Sequence, residues 1–203
     1  MATPENYQVG PGDELLVEVW GATEGNFKQK VDAEGNIFLN GVGRIHVAGL
    51  SFSEVKAKIN SFLKRIYSGI SAPDGSYAKI YTGVTITQVR TVKVNIIGEV
   101  MVPGTYSLSS LSTVLNALYA CGGPSESGSF REISLVRGGK KIANFDIYDF
   151  LINGSEKGNL GLQDQDVIIV PPYKNRVWVE GQVKRKGFYE MLSTETLANL
   201  VSF

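Results

Sequence analysis

"VKVNIIGEVMVPGTYSL", residues Val92 to Leu108, has a near-copy further along the chain: "VWVEGQVKRKGFYEM", Val177 to Met191. An offset of 83 residues lays Val94 on Val177, Gly98 on Gly181, Val100 on Val183, Gly104 on Gly187 and Tyr106 on Tyr189. The same offset, without a gap, carries Ser110 to Ser193, Thr113 to Thr196 and Asn116 to Asn199. Internal repeats are read first because each copy is one structural unit, so the repeat sets the architecture. Each copy reads as strand, turn, strand, helix. Gly98 and Gly181 mark a bulge or a close backbone approach. Pro103-Gly104 reads as a tight turn, with Lys186 in place of the proline in the second copy. Gly98 and Gly104 are both expected to need backbone angles that a side chain disfavours. Tyr106 and Tyr189 should lay their rings on the helix and keep the hydroxyl near water or a backbone partner.

Ahead of the repeat, "YQVGPGDELLVEVW" reads as a turn through Gly12 and Asp13, followed by a strand alternating at Leu15, Val17 and Val19. "KVDAEGNIFL" reads as a β-hairpin turning at Asp32 to Gly35, and "GRIHVAGL" as a short strand with His46 outward. "SFSEVKAKINSFLKRIY" is the clearest helix. Ser51 and Glu54 have capping-box spacing, and Val55, Ile59, Phe62, Leu63 and Ile66 form the buried stripe. Ser68 to Gly83 reads as a loop, and a domain boundary falls near Gln88 to Thr91.

After the first copy of the repeat, "SSLSTVLNALYACGG" is a helix, and "EISLVRGGKKIANFDI" is a hairpin turning at Gly138 and Gly139. "DIYDFLINGS" is a short helix capped by Asp146, and "LQDQDVIIVPPY" is a turn and strand. A few strands wrapped on one main helix make an α+β domain. The expected domains are residues 5–90, 91–172 and an incomplete third, 176–203.

The chain has 203 residues, 43% of them hydrophobic, and its twenty basic and twenty acidic side chains cancel. That balance argues against a nucleic-acid binder, which needs a basic surplus to displace counterions from phosphates. The lone Cys121 allows no intrachain disulfide and reads as a small buried residue. No His/Cys cluster suggests a metal, and no phosphate-binding loop appears: "GGKK" lacks the P-loop spacing. Asp164 and Asp166 resemble a carboxylate pair, but Asp before an apolar strand is ordinary turn chemistry. No catalytic residue and no cofactor is expected. Trp20 and Trp178 are candidates for stacking on sugar rings, although packing explains each more simply. No apolar run reaches the ~18 residues that span a bilayer as a helix. "MATPENYQV" lacks the pattern of a signal peptide. "TLANLVSF" breaks off inside an apolar helical pattern, the expectation for a piece of a longer chain.

Two regions carry a family resemblance. "YQVGPGDELLVEVW" with "VDAEGNIFLNGVGRIHVAGLSFSEV" resembles the export domain of the Wza-type bacterial polysaccharide export proteins. "VNIIGEVMVPGTY", "LNALYACGGP" and "LQDQDVIIVPP" resemble the soluble-ligand-binding β-grasp (SLBB) module that follows it, and "VEGQVKRKGFYEM" the start of a second module. Asn40 stands where the family usually has proline, and Cys121 where alanine or glycine is common. The resemblance implies an export domain of short strands with an amphipathic helix, then β-grasp-like SLBB domains. It makes Gly12, Asp13, Gly35, Gly98, Pro103, Gly104, Tyr106, Gly181, Gly187 and Tyr189 framework residues. It further implies a homo-oligomeric ring, with polysaccharide in transit and an inner-membrane copolymerase as partners. The setting would be the periplasm, beside an outer membrane reached through regions absent from this sequence, the parent protein being a lipoprotein. The alternative is a monomeric carbohydrate-binding or accessory SLBB module, since fold does not fix function.

Overall fold

The structure is a computed structural model that describes residues 3–201; Met1 and Ala2 at one end, and Ser202 and Phe203 of the terminal apolar pattern, lie outside the described residues. The chain divides into two compact units, Met1–Thr91 and Val92–Phe203.

The first unit is built on β1 (Glu14–Gly21), which pairs antiparallel with β2 (Gly25–Lys30) on one side and β5 (Ile80–Gln88) on the other. Alternation along β1 buries Leu15, Val17 and Val19 and turns Glu14, Leu16, Glu18 and Trp20 to the other face. A second hairpin joins β3 (Asn36–Leu39) to β4 (Gly43–His46), with Ile37, Leu39 and Ile45 buried and His46 exposed. Helix α1 (Phe52–Ile66) packs Phe52, Val55, Ile59 and Leu63 into the same core. Its capping box is complete: Ser51 Oγ accepts from the Glu54 amide, and Glu54 accepts from the Ser51 amide at 2.8 Å. Ile66 shares that face by spacing, but on the terminal turn it is exposed.

Two local expectations are corrected here. Asp32 to Gly35 does turn the chain, with the Gly35 amide on the Asp32 carbonyl at 3.0 Å and the Asn36 amide on the Asp32 carboxylate at 2.7 Å. The segments it joins do not form a hairpin, because β2 returns to β1 while β3 pairs with β4. The charges and amides of "GNFKQK" hid β2, whose apolar content is a single Phe27. The loop expected over 68–83 is shorter: Ser68–Ser71 form a 3-10 turn, and β5 already begins at Ile80.

The second unit holds a five-stranded sheet in the order β7-β6-β10-β8-β9, built from β6 (Thr91–Gly98), β7 (Gly104–Ser109), β8 (Ile133–Arg137), β9 (Lys140–Phe145) and β10 (Val167–Val170). β6 and β10 run parallel, and β8 is antiparallel to both β10 and β9. Helix α2 (Val114–Ala120) buries Val114, Ala117 and Leu118 against Val92, Val94, Ile96 and Ile168 in one core. Gly138 and Gly139, at φ of 56° and 75°, close the β8–β9 turn, where the left-handed region suits glycine. Helix α3 (Ile147–Asn153) starts at the Asp146 cap and stops at Gly154 in the left-handed conformation. The hairpin of β11 (Arg176–Val179) with β12 (Gly187–Glu190), then helix α4 (Leu197–Val201), completes this unit.

The repeat is visible in hydrogen bonds as well as in letters. The Tyr106 hydroxyl donates to the Val102 carbonyl at 2.7 Å, and the Tyr189 hydroxyl to the Arg185 carbonyl at 3.0 Å. The Thr113 amide donates to Asn116 Oδ1 at 2.9 Å, and the Thr196 amide to Asn199 Oδ1 at 2.9 Å. Gly98 and Gly181 share φ values of 89° and 97°. A Cβ on Gly98 would collide with the Val170 carbonyl of the parallel neighbour strand. Gly104 behaves otherwise than expected: it opens β7 with ordinary strand φ, and a Cβ there would meet only the Tyr106 ring at 3.9 Å. The turn lies upstream, where the Val102 amide bonds to the Cys121 carbonyl and the Met101 amide to the Gly123 carbonyl.

Candidate functional site

Buried charge is the first place to look for chemistry, and here it is structural. Asp13 is fully buried. It accepts hydrogen bonds from the Tyr7 hydroxyl (2.7 Å), the Gly10 amide (2.8 Å), the Arg90 amide (2.7 Å) and Arg90 Nη1 (2.7 Å). With the donors so arranged, the carboxylate ties the N-terminal turn of the first unit to the end of β5. Gly12 stands beside it at φ 98°, its amide on the Val31 carbonyl. Gly35, at φ 82°, receives the Val47 and Ala48 amides on its own carbonyl. Asp166, also fully buried, is held by Arg137 through Nε at 2.8 Å and Nη2 at 2.7 Å, a two-pronged pair. Asp164 faces solvent and accepts from the Lys93 amide at 2.8 Å. That bond and the Gln165 side chain hold its carboxyl below the usual range. Asp164 and Asp166 thus have separate partners and do not form a catalytic pair.

A polar cleft of 660 Å³ opens in the second unit, lined by Arg131, Asp146, Tyr148, Asn153, Lys157 and Glu195 among others. Arg131 is nearly buried and bonds to Asp146 at 3.0 Å and Glu195 at 2.7 Å. Burial opposes its charge, but these two carboxylates outweigh it and hold the guanidinium above its ordinary pKa. Beside it Glu190 (from β12) is 3% exposed and accepts from Ser129 Oγ at 2.6 Å and the Phe130 amide at 2.7 Å. Arg131 is satisfied by Asp146 and Glu195, and the Glu190 contacts fasten the β11–β12 hairpin to the segment before β8. Cys121 is 1% exposed, its Sγ on the Leu118 carbonyl, and burial pushes its thiol pKa up. A raised pKa keeps a thiol protonated and unreactive. Among the described residues no three His, Cys, Asp or Glu side chains are grouped to hold a metal ion, and no helix is long and apolar enough to cross a membrane.

The two tryptophans lie in different units, and neither is in a core. Trp20 is 47% exposed and Trp178 51%. Trp20 lies nearly parallel to Tyr81, with centroids 5.9 Å apart and 20° between the planes. Trp178 meets Phe188 at 4.8 Å and 59°, and its Nε1 donates to Glu180 at 2.9 Å. Both tryptophans stand out in the sequence, but Tyr81, the partner of Trp20, falls in the segment 68–83 that carries loop composition, and nothing in the letters pairs Trp178 with Phe188. Sequence reasoning misses Arg90, Arg131, Arg137 and Glu190 altogether. An isolated charge in a sequence carries no sign of burial, and each of these is paired with a residue at least 15 positions away.

Comparison with known proteins adds what geometry alone does not. Residues 1–73 match the family model of the polysaccharide biosynthesis/export protein, and residues 93–145 that of the SLBB domain. Two curated relatives, both polysialic acid transport proteins KpsD of Escherichia coli, are 37% and 36% identical over 182 residues. The aligned part is 88% of this chain and 30% of each relative, so the chain spans less than a third of their length.

Proposed function

We propose that this chain is part of a protein of the Wza type that exports a capsular or extracellular polysaccharide, a reading supported by its matches to a polysaccharide biosynthesis/export domain and an SLBB domain. In this reading the segment is the periplasmic part of an outer-membrane translocon, assembled as a homo-oligomeric ring whose lumen conducts the polymer. The polymer is delivered by an inner-membrane copolymerase, and the protein makes or breaks no bond. One observation carries the reading: an export domain is followed directly by an SLBB domain, in a chain more than a third identical to two polysaccharide transport proteins. A ring needs a head-to-tail interface that closes. Closure would rest on regions of the parent protein beyond this segment as well as on these two units.

The test is deletion of the gene in the source bacterium, with surface polysaccharide measured by immunoblot, together with native mass measurement of the full-length protein in detergent. Loss of surface polymer and a discrete multimer are expected. Unchanged surface polymer with a monomeric protein overturns the reading in favour of an accessory carbohydrate-binding module.

A further inference from the structure

We infer that the outer face of the β2-β1-β5 sheet is a sugar-binding surface, with Trp20 and Tyr81 as its stacking platform for a pyranose ring of the transported polymer. The inference rests on the export reading for the polymer's identity as a polysaccharide, and on the geometry of this sheet for the site.

β1 turns Leu15, Val17 and Val19 inward, so Glu18 and Trp20 face outward. Trp20 is directly opposite Tyr81, and Glu18 opposite Gly83. The glycine is what lets the indole lie down. A Cβ on Gly83 would stand 3.1 Å from Trp20 Cζ3, closer than carbon atoms pack. With no side chain there, the indole spreads across the strand and runs nearly parallel to the phenol ring. Both rings remain almost half exposed.

Core packing does not account for this pair, since its rings lie on the face opposite the core. A single exposed aromatic would need no explanation. Two near-parallel, half-exposed rings beside a glycine offer aromatic surface to solvent, with Lys79 Nζ over the Tyr81 ring at 5.8 Å from its centroid. The C–H face of a pyranose is flat and apolar, with weakly positive hydrogens that suit the negative π faces. Polar groups surround the rings. Among the described residues Trp20 Nε1, the Tyr81 hydroxyl and the Glu18 carboxylate make no hydrogen bond, whereas the Trp178 indole N–H is taken by Glu180. Asn26, opposite Glu18 on β2, is exposed beside them. Sugar hydroxyls both donate and accept, and this set offers both. A second copy of the chain is the poorer occupant. The rest of the face carries Lys28, Lys30 and the Glu14 paired with Lys28 at 2.9 Å, and charged residues are depleted at the centre of protein interfaces.

The experiment uses the 203-residue chain labelled with nitrogen-15, whose two tryptophans give two indole N–H signals. The probes are cellohexaose, which is neutral, and a hexamer of α2,8-linked sialic acid, which is acidic. The expected result is a saturable shift of the Trp20 signal with at least one probe at millimolar concentration, and none at Trp178. By analogy with anchor residues at other binding surfaces, Tyr81→Ala is expected to weaken binding about tenfold. Gly83→Ala keeps both rings but lifts the indole, and should weaken binding by about threefold. Because it leaves the sheet intact, Gly83→Ala keeps the test sharp if Tyr81→Ala misfolds. Three results overturn the inference: a silent Trp20 signal with both probes, full affinity in Gly83→Ala and Tyr81→Ala, or Trp20 shifts that follow protein dilution alone. The last would assign the face to a second copy. Gene deletion separates the two levels. If deletion abolishes surface polysaccharide while the Trp20 signal stays silent, the platform fails and the export reading stands. If binding occurs but deletion leaves the surface polymer unchanged, the export reading fails and a sugar-binding module remains.

Discussion

Gly98 and Gly104 look alike in sequence, and the structure assigns them different burdens. Gly98 combines a left-handed φ with a carbonyl in the way of any Cβ, and both penalties fall on one residue. Gly98→Ala should lower stability by about 2–4 kcal/mol, whereas Gly104→Ala should change it by less than about 0.5 kcal/mol. Urea midpoints of the two variants check this, and equal midpoints would show that the φ at 98 is not needed. Asp13 makes the second case. Removing its carboxylate takes the acceptor away from the buried Gly10 amide, the half-buried Arg90 amide and the Tyr7 hydroxyl, which keeps its bond from Arg90 Nη1. Arg90 is a quarter exposed and can recover some hydration, which moderates the loss. Asp13→Ala is therefore expected to destabilise the first unit by about 3 kcal/mol, read from its melting transition. Both residues stood out in the sequence as turn residues. What the sequence hid was the partner: Val170 for Gly98, 72 positions away, and Arg90 for Asp13, 77 positions away.

Elements with a local cause were the legible part of the fold. Helix α1 follows from its capping box and apolar spacing, the β8–β9 turn from two glycines, and helix α3 from Asp146 and Gly154. β2 was illegible because an edge strand with one buried-side aromatic carries no period-two signal, and its pairing is decided by β1. The same locality gives a pH prediction. The Ser51 hydroxyl, then the Ser51 amide, hold the Glu54 carboxyl below its usual pKa. A depressed folded-state pKa contributes stability that is complete above the ordinary carboxylate value and is lost as pH falls through the lowered one. Ser51→Ala should therefore cost about 1 kcal/mol at neutral pH. The gap to the unaltered chain should narrow as pH falls through the lowered Glu54 value and the carboxylate protonates. Denaturant midpoints from pH 7 to pH 3 measure it, and a gap that widened in acid would contradict the cap assignment.

At the scale of the whole molecule, the two hydrophobic cores share no residue, and each unit holds one of the two tryptophans. The 83-residue repeat was legible because it repeats letters. That Glu190 of the second copy would reach back to Ser129 and Phe130 was not, since its counterpart in the first copy is Ser107. This asymmetry makes the second copy dependent on the first within one unit. Glu190→Ala leaves Ser129 Oγ and the Phe130 amide without their acceptor and loosens the hairpin that carries Trp178, although the hairpin keeps its Arg131, Tyr148 and Glu126 contacts. Loss of such a buried acceptor costs about 1–3 kcal/mol. In a Trp20→Phe background, Trp178 fluorescence should report that loss as an earlier transition in urea. In a Trp178→Phe background, Trp20 should report an unchanged one, because substitutions far apart with no shared partner leave each other's stability within about 0.5 kcal/mol. An equal shift at both tryptophans would mean that the chain unfolds as a single cooperative body, and the two cores would then have to be treated as one.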